Sequence, residues 1–102
     1  MVKEKKLELT WSPTARKGLR DAYDYIKKES LSGAKKVRNA ITSEVEKLTI
    51  HPAVFELDRF KNNNPGNYRA FEKYHYRVAY KHTENELHIL RVRHTSMEPL
   101  EY

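Results

Sequence analysis

From Tyr68 to Tyr102 the chain reads YRAFEKYHYRVAYKHTENELHILRVRHTSMEPLEY, three runs of aromatic, aliphatic and basic residues with almost nothing between them. That spacing constrains the fold more than any other feature. The runs, about Tyr68–Glu72, Tyr76–His82 and Glu86–His94, alternate as half-buried strands do. A tight turn around Lys73–His75 joins the first pair and the polar Thr83-Glu84-Asn85 the second, so consecutive strands must lie antiparallel. In the middle run Tyr76, Val78 and Tyr80 share one face, and His75, Arg77, Ala79 and Lys81 the other. The tyrosine–valine face is therefore expected to be covered, with Arg77 pointing away from the cover. The last run changes phase: Leu87 and Ile89 fall on one face, Leu90 and Val92 on the other. Either a bulge near Ile89 or cover on both faces is expected, and alternation leaves the facing of Arg91, Arg93 and His94 open.

What precedes this stretch reads as its cover. Leu7, Leu9 and Trp11 alternate with Glu8 and Thr10, a further strand. Ser12-Pro13 then starts a helix, serine at the N-cap and proline where a missing N–H costs nothing. Its apolar face is Ala15, Leu19, Ala22 and Ile26. Gly18 within it either weakens the helix by about 1 kcal/mol or allows close packing. After Ser30-Leu31-Ser32-Gly33, with Ser32 as the expected cap, a second helix carries Ala34, Val37, Ile41, Val45 and Leu48 on one line. His51-Pro52 stops it. Phe55–Asn67 is a loop, because Asn62-Asn63-Asn64-Pro65-Gly66-Asn67 suits only turns. The expectation is one α+β domain over residues 1–102, ordered β-α-α-β-β-β, with a helical hairpin on one face of a twisted antiparallel sheet.

Charge and composition narrow the function classes. The chain has a net charge of +6, and the excess is spread: twelve basic against eight acidic residues precede Leu57, eight against six follow it. A nucleic acid or an acidic protein is the partner such a surface suits. Aromatics at 11% argue against disorder. No cysteine is present, so thiolate chemistry is excluded. The N-terminus lacks the apolar core of a signal peptide and no run suits a membrane span, so a cytoplasmic protein is expected. There is no GxSxG, P-loop, Gly-rich dinucleotide turn or HExxH. The histidines at 51, 75, 82, 88 and 94 show no ligand spacing backed by carboxylates, so neither a metal nor another cofactor is expected.

What remains is an open, solvent-facing sheet surface with Arg77, a histidine at the end of the last strand, and Glu98 and Tyr102 beyond it. An arginine can clamp a phosphate and stabilise charge developing there. A histidine, carboxylate or tyrosine can move the protons of metal-free RNA cleavage, and aromatics can stack unpaired bases. Arg77, His94, Glu98 and Tyr102 are thus the candidate catalytic residues, with Arg69, Lys73, Lys81, Arg91 and Arg93 as nucleic-acid contacts. The plain alternative is that these are surface strand charges and a capping histidine.

The order of elements, together with W-S-P-T-A at 11–15, D-Y-I at 24–26, L-x-x-x-P at 48–52, Y-R-V-A-Y at 76–80 and I-L-R-V-R-H at 89–94 followed by Glu98-Pro99, resembles the RelE/ParE superfamily. These are toxins of bacterial type II toxin–antitoxin modules, also known as plasmid stabilisation proteins. The resemblance spans nearly the whole chain. It implies a cytoplasmic growth inhibitor, neutralised by a small antitoxin, with a homodimer or toxin–antitoxin hetero-oligomer as its assembly. RelE-like members are mRNA interferases that cleave mRNA on the ribosome without metal, and this reading is favoured. There Arg77 stabilises the phosphate, His94 or Glu98 transfers protons and Tyr102 stacks or orients a base. ParE-like members instead inhibit DNA gyrase, with the basic surface and first helix as contacts; a non-toxic RNA-binding module is the more distant alternative. The chain departs from the RNase set where that set's lysine pair would fall on Tyr68 and Ala70 and its last arginine on Ser96.

Overall fold

One hydroxyl joins the two layers of the protein. In the computed structural model, which describes residues 5–97 and 100–102, Ser12 follows strand β1 (Glu8–Trp11) and precedes helix α1 (Pro13–Lys27). Its Oγ accepts the Ala15 N–H at 2.9 Å, capping the helix, and donates to the Leu90 carbonyl at 2.8 Å. Helix α2 (Leu31–Leu48) follows after a short break. Its cap is Ser30 and not the expected Ser32: Ser30 is extended (φ −155°, ψ 110°) and its Oγ accepts from the Gly33 N–H at 2.9 Å. Ser32 lies inside the first turn. The helix ends at Leu48, ahead of His51-Pro52.

Strands β2 (Tyr68–Lys73), β3 (Tyr76–His82) and β4 (Glu86–His94) form the expected meander. The sheet order is β1-β4-β3-β2, and β1 runs parallel to β4, so the antiparallel sheet is mixed at that edge. The helical hairpin lies between β1 and the meander in the chain, which lets β1 dock parallel beside the last strand. Between β3 and β4 the register steps from Ala79↔Arg91 to Tyr80↔Ile89. Leu90 is therefore the extra residue of a β-bulge. The bulge puts Leu87, Ile89 and Val92 on one face, resolving the phase change, and the Ser12 hydroxyl bonds the carbonyl of the bulged residue.

Ile41, Val45 and Leu48 of α2 and Ala15 and Ala22 of α1 cover Val78, Tyr80, Ile89 and Val92, all buried in one core. Gly18 is the closest approach: a Cβ there would clash with the Val92 carbonyl oxygen and stand 3.3 Å from its Cβ. Close packing is thus the reason for this glycine. The buried Tyr80 hydroxyl donates to the Pro52 carbonyl at 2.6 Å, and burial pushes that phenol up to about 12.

The opposite face is not open. Leu57 bridges to Arg69, and the Asp58 N–H donates to the Tyr68 carbonyl at 2.9 Å, so the loop runs along the β2 edge. Tyr102 then pairs with that loop: its N–H donates to the Phe60 carbonyl at 3.0 Å and its carbonyl accepts from Asn62 at 2.6 Å. Loop and C-terminal segment together form a strap across the face that carries Arg77.

Candidate functional site

The strap decides what Arg77 can do. Its Nη2 donates to Asp58 Oδ1 at 2.8 Å and its Nη1 to Glu72 Oε2 at 3.1 Å, while its guanidinium lies 4.8 Å from the centre of the Phe60 ring. Asp58 is the keystone, its side chain only 1% exposed. Besides Arg77, its Oδ1 accepts the Phe60 N–H at 3.0 Å and its Oδ2 the Tyr102 hydroxyl at 2.7 Å. Burial alone would raise the Asp58 carboxyl. The hydrogen bonds from Tyr102, Arg77 and Phe60, with the arginine's charge, outweigh burial and hold it below the usual carboxylate range. Tyr102 moves the other way: burial first, then the Asp58 charge it donates to, push its phenol far up.

Of the four expected catalytic residues, Arg77 and Tyr102 are therefore brought together, but through a buried carboxylate. An arginine with acidic partners on both sides is poorly placed to receive a phosphate as well. A tyrosine held protonated as a donor cannot take a proton. His94 ends β4 on the helix face, opposite Tyr76, with their rings 5.0 Å apart edge to face. The His75 ring stands 6.3 Å away. The Ser96 N–H donates to His94 Nδ1 at 3.0 Å, making that nitrogen the acceptor and leaving the neutral ring's proton on Nε2. Glu98 lies outside the described residues.

The expected nucleic-acid contacts split by face. Ladder register places Lys81, Arg91 and Arg93 on the face of Arg77. Arg91 lies 4.3 Å over the Tyr102 ring and Lys81 5.5 Å over Tyr68. Arg69 and Lys73 fall on the other face, because they pair with Tyr80 and Tyr76. Arg69 is a structural clamp: its Nη1 donates to the Phe55 carbonyl at 2.6 Å and its Nε to His82 Nε2 at 3.1 Å. Burial, then the Arg69 charge, lowers the His82 pKa. The expected open, solvent-facing sheet surface is thus corrected: the strap covers much of it. Among the described residues no group of three or more His, Asp or Glu is placed to hold a metal ion.

Sequence reasoning missed Asp58, Glu72 and Phe60. Asp58 sits in an aperiodic loop nineteen residues before its arginine. The one available signal was an acidic residue among Phe55, Leu57 and Phe60, an apolar setting that calls for a cationic partner.

Comparison with known proteins places the chain. The family described as the ParE toxin of the type II toxin–antitoxin system, parDE, matches residues 9–99. Among solved structures the chain is similar to one described as the chromosomal ParDE TA system from P. aeruginosa. That likeness has 20% identity, covers 90% of this chain and 99% of that one, and has a TM-score of 0.69. It is also similar to the YoeB dimer from Staphylococcus aureus, at 18% identity, covering 87% of this chain and 97% of that one, with a TM-score of 0.57. At these identities the likeness is one of fold. No curated protein sequence matches the chain.

Proposed function

Because the chain belongs to the ParE toxin family of type II toxin–antitoxin systems, we propose that it arrests growth by holding a protein target, DNA gyrase, and not by cleaving mRNA. It acts in the cytoplasm and is neutralised in a hetero-oligomer with a cognate small antitoxin. The observation that carries this reading is the state of Arg77. A cleaving enzyme needs that guanidinium aimed at a scissile phosphate, and here a buried carboxylate 2.8 Å away and Glu72 at 3.1 Å occupy it. Tyr102 is turned inward to the same carboxylate. The departures at Tyr68, Ala70 and Ser96 point the same way.

Supercoiling by purified gyrase and primer extension on mRNA from a translating extract, each run with the purified chain, test this. Inhibited supercoiling with intact mRNA is the expected result. Cleavage within ribosome-bound mRNA, abolished in Arg77→Ala, would overturn it. The second reading, the mRNA endonuclease, keeps one observation in its favour: Arg77, Arg91, Arg93 and Lys81 share a face with Tyr102.

A further inference from the structure

The β2–β3 turn is made of the wrong residues for its shape. Lys73 pairs with Tyr76, leaving Tyr74-His75 as a two-residue loop. Both have positive φ, 49° and 68°. A type I′ hairpin requires that, and Asn-Gly or Asp-Gly meet the requirement without strain. A bulky tyrosine in the left-handed region is disfavoured. Core packing does not explain it either, since Tyr74 is 46% exposed. Strain of this kind, kept where packing does not need it, is a mark of functional positions.

The surroundings say what the tip presents. Lys36, from α2, lies 5.3 Å from the centre of the Tyr74 ring and Lys73 lies 5.8 Å from it. Neither ammonium has an acidic partner within ion-pairing distance among the described residues. The His75 carbonyl accepts the Thr95 N–H at 2.7 Å, so the tip is pinned to the end of β4. Beyond His94, which stacks on His75, a mostly apolar groove opens, lined by Tyr25, Tyr76, Val92 and Met97 and by the charged Lys17 and Asp21.

We propose that the Tyr74-His75 turn is a target-binding anchor, whose exposed tyrosine enters an apolar pocket of the inhibited protein while Lys36 and Lys73 meet acidic residues on its rim. A rigid aromatic with a charged rim is how interface hot spots are built. The neighbouring apolar groove favours a protein over a nucleic acid. This deepens the gyrase reading and rests on it for the target's identity.

The test separates the two. The double variant Tyr74→Asn/His75→Gly relieves the turn, so its thermal midpoint should rise by a few degrees (on the order of 5 °C). Its inhibition of supercoiling and its growth arrest should each weaken about tenfold. Lys36→Glu/Lys73→Glu should weaken both without moving the midpoint. Variants that inhibit as the wild type does overturn the anchor and leave the gyrase reading standing. A wild-type chain that arrests growth without inhibiting supercoiling overturns the gyrase reading, and growth arrest by the variants then judges the anchor alone. A wild-type chain that does neither overturns both. An equal loss in binding to bare duplex DNA, followed by fluorescence anisotropy, overturns the choice of a protein partner.

Discussion

A single carboxylate governs the chemistry of this surface. Asp58 accepts from Arg77, from Tyr102 and from the Phe60 N–H, and its removal leaves each of those donors short. Asp58→Asn should destabilise the fold by about 1–3 kcal/mol, read as a shift in urea midpoint. Since folding lowers the Asp58 pKa from 3.8, its contribution is complete well above that value. It fades as pH falls through 3.8 toward the folded value. The gap between wild type and Asp58→Asn should therefore be constant at neutral pH and narrow below about pH 4. Arg77 was legible in the sequence because a strand's alternation gives each residue a face. Asp58 was not, because a loop has no period and its partner is set only once the chain has folded.

The bulge at Leu90 does more than relieve a phase mismatch. It re-aims Arg91 and Arg93 onto the Arg77 face and His94 onto the helix face. A sequence pattern can announce that phase changes in the last strand, as it did here, but the residue at which it changes depends on what bonds the displaced carbonyl. That bond comes from Ser12, which also caps α1. The two helices and all four strands were readable from period and caps. The cap of α2 was misassigned by two residues because two serines competed and only backbone geometry separates them. Gly18 illustrates the same limit, since its neighbour lies on a strand far along the chain. Gly18→Ala gains about 1 kcal/mol of helix propensity yet must push α1 off the β4 backbone. A net loss of about 1–3 kcal/mol is expected, measured by chemical denaturation.

For the whole molecule, helices close one face and the strap part of the other, while the two sheet edges differ. The β2 edge is bridged by the loop at Leu57. The N–H groups of Glu8 in β1 and of Ser12 just after it point into the sheet, to the Asn85 and Ile89 carbonyls. Strand geometry then turns the Leu9 and Trp11 N–H groups outward. Amide hydrogen exchange should therefore be slowest in β3, at Val78–Tyr80, and faster by orders of magnitude at Leu9 and Trp11.

The parallel pairing of the first strand with the last also sets an order of events as the protein is synthesised. β1 and α1 leave the ribosome before the strand they rest on, since β4, residues Glu86 to His94, is made after them. The strap arrives later still, because Tyr102 follows that strand. A chain that lacks that strand exposes the apolar stripes of its helices. A chain built this way cannot complete its fold before β4 has been made, which leaves that interval for a partner to meet it.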